Sequence, residues 1–260
     1  MSVGHPSLDL TGKVAVVLGG TQGIGRALSL GLAEAGADVV PCARTVEKVE
    51  STAKEIEERG RRTLRAPADV CDRTSLEKAR DAVLAAFGKI DILVNCAGRI
   101  KRTPVLDLSE EEWGGILETN LTGTLRACQV FGRPMIERGH GRIVNIASLN
   151  SFVSFLEVAA YAASKAGVSG LTRSLAVEWG PKGVIVNAIA PGVFRTALNA
   201  QLLDGTERGK ELRMRTPLKR FGQIEELVGL CIFLASDAAS FVNGQVIAVD
   251  GGFLASGVNQ

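Results

Sequence analysis

Tyrosine occurs once in these 260 residues, against nine phenylalanines, so the phenol of Tyr161 calls for a reason other than packing. Histidine is nearly absent as well: His5 and His140 are the only two, and neither lies near a motif described below, which leaves little from which to build a zinc centre. No long run of one charge exists. Thirty Lys and Arg against 28 Asp and Glu give a formal +2, with the basic residues scattered in ones, twos and threes. That pattern argues against nucleic acid or an anionic membrane as the main partner. Nor does any apolar stretch approach the length that spans a bilayer, and the start MSVGHPSLDLTGK lacks a basic region followed by an apolar one. The five cysteines (Cys42, Cys71, Cys96, Cys128, Cys231) are odd in number and widely spread. They carry neither a disulfide framework nor a metal-ligand spacing, and read as small hydrophobes in a reducing compartment. The expectation is a soluble cytoplasmic protein.

What the chain has is short β-branched runs alternating with longer segments of helical period. The runs are VAVVL (14–18), ADVVPCA (37–43), TLRAPAD (63–69), DILVN (91–95), RIVNIA (142–147), VIVNAIA (184–190) and QVIAVD (245–250). Seven such runs predict an α/β fold, a doubly wound sheet of seven mostly parallel strands with helices on both faces. Helices are predicted at about 24–35, 46–58, 73–87, 109–132, 161–179 and 223–235, the fourth opened by Ser109 with Glu112 three residues on, the pattern of a capping box. No linker divides the chain, so residues 1–260 are expected to form a single domain with a short N-terminal tail, 1–10. The long interval 191–223 lacks a strand and suggests a lid over whatever binds at the strand ends.

Directly after the first strand comes LGGTQGIG (18–25), with a helix opening inside it. Gly19 permits the tight turn, Gly23 lets backbone approach a phosphate, and Gly25 lets helix pack on strand. The backbone of this loop, Ile24 included, can then hold a pyrophosphate at the helix N-terminus. At the end of the second strand an acid would mark NAD, but Ala43 and then Arg44 stand there. A guanidinium suits the 2′-phosphate of NADP, with Thr21 and Gln22 as further donors, so NADP is preferred and NAD remains possible. Arg44 could instead stack on adenine or face solvent. Asp69, before Val70, is placed to read the adenine amino group, or is an ordinary strand-end aspartate.

Tyr161 and Lys165 are i, i+4 on a predicted helix and project from one face. A phenol of pKa about 10 is a poor base at neutral pH. A nearby ammonium favours the phenolate, and a fall of two to three units would take roughly 3–4 kcal/mol. Ser148, at the end of the fifth strand, can donate to an oxygen on which charge develops.

These residues resemble the short-chain dehydrogenase/reductase superfamily from about Thr11 to Gly252. The glycine motif is Gly19, Gly23 and Gly25. NCAG (95–98) matches Asn-Asn-Ala-Gly, Asn120 in ETNLTG matches the helix asparagine, and PGVFRT (191–196) matches the Pro-Gly motif. Two departures are Leu18, where threonine usually stands, and Cys96, in place of the second asparagine. The resemblance implies a Rossmann-type fold and hydride transfer between a nicotinamide and a carbinol carbon. It implies that Tyr161 exchanges the proton, Lys165 lowers its pKa and binds the nicotinamide ribose, Ser148 holds the carbonyl, and Asn120 holds a water linking Lys165 to solvent. Asn95 would brace the sheet beside the cofactor, with Ala97 and Gly98 against it. Pro191, Gly192, the backbone of Phe194 and the side chain of Thr196 would meet the nicotinamide end. It implies too a homotetramer built through the helices near 109–132 and 161–179 and the last strand.

For the substrate, RIKRTP (99–104) offers Lys101 and Arg102 to a carboxylate, or to solvent. The spacing NCAGRIKRTP resembles the sugar-acid branch, the gluconate 5-dehydrogenases and 2-keto-3-deoxygluconate-type dehydrogenases. Glu157 could accept sugar hydroxyls or face solvent. A 3-oxoacyl carrier-protein reductase is the alternative reading, and a non-catalytic dinucleotide-binding regulator a second.

Overall fold

Parallel strands lying between two layers of helices must be apolar on both faces. The sheet of the computed structural model, which describes residues 6–196 and 199–257, meets that condition. Its strands are β1 (Val14–Leu18), β2 (Asp38–Cys42), β3 (Ile92–Asn95), β4 (Gly141–Ile146), β5 (Val184–Pro191) and β6 (Val246–Val249). They pair in the order β2-β1-β3-β4-β5-β6, all parallel. Val16 and Leu18 pack into one core with Leu93, Phe131 and Trp179, while Val17 packs into the other with Leu28, Val144 and Leu234. Alternation along β1 thus feeds both faces.

The described sheet has six strands, not seven. The predicted strand at 63–69 runs beside β2 but forms no ladder. Val39 N–H donates to the Arg62 carbonyl (3.1 Å) and Ala68 N–H to the Ala43 carbonyl (3.0 Å), and between these two bonds Pro41 has no N–H to give. Pro67 removes a second donor from the segment itself.

The helices are α1 (Gly23–Glu34), α2 (Val46–Glu58), α3 (Arg73–Phe87), α4 (Glu110–Leu117), α5 (Gly123–Glu137), α6 (Ala159–Trp179), α7 (Ala200–Leu203), α8 (Glu207–Arg215) and α9 (Val228–Ala235). The predicted helix 109–132 is α4 and α5, joined by a π-helical stretch, Glu118–Thr122. Ser109 Oγ caps α4 by accepting from Glu112 N–H (3.1 Å), but the box is half made, because the Glu112 carboxylate turns to Lys101 and Thr103 instead. Leu10, assigned above to the tail, is fully buried and its N–H donates to the Ala35 carbonyl.

The sheet reverses its direction of winding between β1 and β3, and there the chain leaves a crevice at the carboxyl ends of the strands. The interval 191–223 arises beside it and holds α7 and α8. Its two ends meet, Gly222 N–H donating to the Val193 carbonyl and Phe194 bridging Gly222.

Candidate active site

The loop after β1 and the loop after β3 close on each other at the reversal point. A Cβ on Gly19 would lie 2.7 Å from the Ala97 nitrogen, and one on Gly25 would lie 2.0 Å from the Gly19 carbonyl oxygen, so no side chain fits at either position. Gly23 has φ +50 with open space above it. Gln22 is the N-cap of α1 but makes no capping bond, which leaves the first-turn amides of Gly23, Ile24 and Gly25 to a ligand. Its side chain accepts from Lys48 Nζ (2.7 Å), a residue of α2 that sequence reasoning missed. Arg44 is exposed and makes no ion pair or hydrogen bond among the described residues, while Thr21 is buried at the base of the loop. A bare cradle with two cations at its far rim fits a phosphorylated dinucleotide. Asp69 is partly committed to its own turn, accepting from Cys71 N–H (2.9 Å), and the Val70 carbonyl accepts from Arg126.

Beneath the crevice runs a line of buried polar groups. Asn95 Nδ2 donates to Asn145 Oδ1 (2.8 Å), tying β3 to β4, and Asn145 Nδ2 reaches Thr172 Oγ1 on α6 (3.0 Å). Asn95 Oδ1 is buried with no partner among the described residues, a lone pair open to a donor. Asn145 and Thr172 carry no sequence motif; only the burial of an asparagine inside a strand run signals them.

α6 presents Tyr161 half-buried and Lys165 buried. Lys165 Nζ donates to the Ile146 carbonyl at the end of β4 (2.7 Å) and lies 5.6 Å from the Tyr161 ring centroid. Burial pulls the lysine down to about 8, with the Cys96 thiol opposing. The same burial holds Tyr161 above the ordinary phenol value, while a hydrogen bond with Ser148 works the other way. In the protein without a cofactor, desolvation of the phenol outweighs its hydrogen bond, and the lysine ammonium is engaged by a carbonyl. Cys96, beside Lys165, is pushed up to about 11 by burial and stays a neutral thiol at pH 7. Ser148 itself accepts from Asn150 N–H (3.2 Å) and caps a short 3₁₀ turn.

Asn120 sits in the π-helical stretch, fully buried. Its side chain is consumed by protein partners: Oδ1 accepts from Arg99 N–H (2.8 Å), and Nδ2 donates to the Arg99 carbonyl (2.9 Å) and to Ser164 Oγ (3.0 Å). A Cβ on Gly98 would come 3.4 Å from Asn120 Oδ1 and 3.8 Å from Lys165 Nζ, so the NCAG loop lies directly over both.

At the other end, Pro191 closes β5 and Gly192 N–H bonds to Val249. The Phe194 carbonyl accepts from Asn199 Nδ2 (2.8 Å), and Thr196 N–H donates to Asn199 Oδ1 (2.7 Å). Of the basic pair after β3, Lys101 is paired with Glu112, whereas Arg102 Nη2 meets Glu157 Oε2 at 2.5 Å. Among the described residues no cluster of His, Cys, Asp and Glu could hold a metal ion.

A family model described as enoyl-(acyl carrier protein) reductase matches residues 19–254. Gluconate 5-dehydrogenase of Gluconobacter oxydans is 41% identical over 253 residues, 97% of this chain and 99% of that protein. The chain belongs to the short-chain dehydrogenase/reductase family. D-Threitol dehydrogenase of Mycolicibacterium smegmatis is 42% identical over 94% of each chain. A crystal structure of a gluconate 5-dehydrogenase from Burkholderia cenocepacia, in complex with NADP and tartrate, superposes with a TM-score of 0.93 at 40% identity, covering 96% of this chain and 98% of that one. Within the family this chain sits among sugar-acid and polyol dehydrogenases.

Proposed function

We propose that this chain is an NADP-dependent dehydrogenase that interconverts a secondary alcohol and a ketone on a sugar acid. The observation that carries the reading is the convergence of Ser148, Tyr161 and Lys165 at the strand ends, beside the crevice where Gly19 meets Ala97. Arg44 and Lys48 favour NADP by offering cations to a 2′-phosphate. The first-turn amides of α1 would take the pyrophosphate, and Pro191, Gly192, Phe194 and Thr196 the nicotinamide end. A bound nicotinamide would supply or accept the hydride.

Tyr161 Oη gives its proton to the carbonyl oxygen in reduction and removes it from the hydroxyl in oxidation. Ser148 Oγ donates to the same oxygen and fixes its position. Lys165 is mostly an ammonium at pH 7. It places positive charge under the phenol when charge develops there, and the Ile146 carbonyl holds it to the sheet. Arg102 and Glu157 stand on the loops after β3 and before α6, where a polar substrate would enter. Residues 191–223 are the lid, hinged where Phe194 bridges Gly222. The set of Asn120, Ser148, Tyr161 and Lys165 is intact, which argues against a regulator without catalysis, and the sugar-acid and polyol relatives argue against a 3-oxoacyl substrate. NADPH consumption over a panel of keto sugar acids and 3-oxoacyl thioesters decides. Turnover confined to the thioesters, or none with NADPH bound, defeats the proposal.

A homotetramer in the cytoplasm completes the proposal. Val177 on α6 is 79% exposed and β6 is a half-buried edge strand, both faces that a partner subunit would cover. No described helix is long and apolar enough to cross a membrane. Light scattering that gives a monomer would refute the assembly.

A further inference from the structure

The rim of the crevice carries a cation whose neighbouring acids are engaged by other residues. Arg208, in the first turn of α8, is half-buried, yet no acceptor among the described residues takes a hydrogen bond or ion pair from it. Its guanidinium carbon lies 5.9 Å from the centroid of Phe155, two residues before Glu157. Burial lowers its pKa first and the neighbouring Arg102 adds to the effect, with Glu157 and Glu211 opposing. Glu211 is itself engaged by Arg215 (3.0 Å) and Glu207 by Lys210 (2.7 Å), so the acids of α8 are turned to other partners.

Three segments therefore converge: the loop after β3 brings Arg102, the loop before α6 brings Glu157, and the lid brings Arg208. Glu157 is held there at a cost. Its φ is +65, a conformation that non-glycine residues seldom adopt, and it is pinned from the β3 side by Thr103 N–H on its carbonyl (2.8 Å) and by Arg102 on its carboxylate. Glu157 is taken by Arg102 and Glu211 by Arg215, which leaves Arg208 without an ion pair of its own among the described residues at the rim of a site that Lys101, paired with Glu112, does not serve.

We infer that Arg208 and Arg102 together receive a carboxylate of the substrate, with Glu157 holding Arg102 in place until the acid binds. The inference rests on the sugar-acid reading and deepens it, because it moves one of the carboxylate-binding groups from the loop after β3 onto the lid. Closure of α8 over the crevice is then favoured by the acid, since a bound carboxylate adds to the relief that Glu157 gives to the repulsion between Arg102 and Arg208.

The test uses the intact enzyme saturated with NADP+. Calorimetric titration with gluconate and with glucitol, a neutral polyol of the same length, is run on wild type, Arg208→Gln and Arg208→Lys, alongside steady-state oxidation of gluconate. Loss of one charge-assisted contact predicts that the preference for gluconate over glucitol shrinks about tenfold to a hundredfold in Arg208→Gln. The loss falls on KM rather than kcat, and Arg208→Lys recovers part of it. An NADPH affinity equal to wild type shows that the variant is folded. If wild type neither binds nor oxidises any sugar acid, the sugar-acid reading falls and this inference with it. If wild type does both and Arg208→Gln leaves the preference unmoved, only the role of Arg208 is overturned.

Discussion

Replacing Lys165 with methionine should abolish turnover while leaving the fold as stable as before or more so. The lysine is 5% exposed and burial brings its pKa from 10.5 to about 8, so keeping it charged at pH 7 costs the folded state roughly 3 kcal/mol. Methionine matches its length and removes that cost. It also removes the donor that serves the Ile146 carbonyl, a loss of about 1–3 kcal/mol. The two nearly cancel, so urea denaturation at pH 7 without cofactor should place the variant between equal to wild type and about 2 kcal/mol more stable. The sign of the pH dependence follows from the direction of the shift. Below about 8 both states of the wild-type lysine are protonated and the cost is full. Between about 8 and 10.5 the folded state has shed a proton that the unfolded state keeps, so wild type gains on the variant as pH rises. Denaturation at pH 7 and pH 9.5 reads this directly. A variant more than 2 kcal/mol less stable at pH 7, or a gap that does not move with pH, would refute the reasoning.

Three further outcomes follow from the geometry. Arg44→Ala combined with Lys48→Ala should cut the preference for NADPH over NADH about tenfold to a hundredfold, read as the ratio of the two dissociation constants, and an unchanged ratio would count against the rim cations. Gly25→Ala puts a methyl 2.0 Å from the Gly19 carbonyl oxygen, backbone that cannot step aside. It should lower stability by roughly 1–3 kcal/mol and weaken NADPH binding, and a variant with wild-type Tm and affinity would contradict the packing described. Because burial holds Tyr161, the one tyrosine of the chain, above the ordinary phenol value in the cofactor-free protein, ultraviolet titration without NADP should show phenolate absorbance still rising at pH 10; a transition complete by pH 9 would be inconsistent.

The candidate site was legible in two ways, its glycines, Tyr161 and Lys165 through local rules of turn and helix geometry, and Asn95 and Asn120 only through the family resemblance. Gly19 and Gly25 are required where any Cβ would strike backbone, and Tyr161 and Lys165 share a helix face by spacing alone. The segment 63–69 has a strand-like apolar alternation but forms no ladder, because Pro41 on the neighbouring strand lacks the N–H that would complete the pairing and Pro67 removes a donor from the segment itself. The same limit hid Lys48 and Arg208, which lie on ordinary polar helix faces and acquire meaning only from Gln22 and from Arg102 and Glu157, residues distant in the chain. Lys101 and Arg102 looked alike in RIKRTP. Glu112 and Glu157 separate them, and neither partner can be assigned from adjacency.

The central claim is that the one tyrosine hydroxyl of this chain carries the proton of a carbonyl–alcohol interconversion on a sugar acid. Turnover of a keto sugar acid with NADPH by wild type and by Tyr161→Phe tests it most directly. The account predicts measurable wild-type reduction and a loss of roughly a hundredfold or more in kcat for the variant, with NADPH affinity retained. Near-normal turnover by Tyr161→Phe would contradict it.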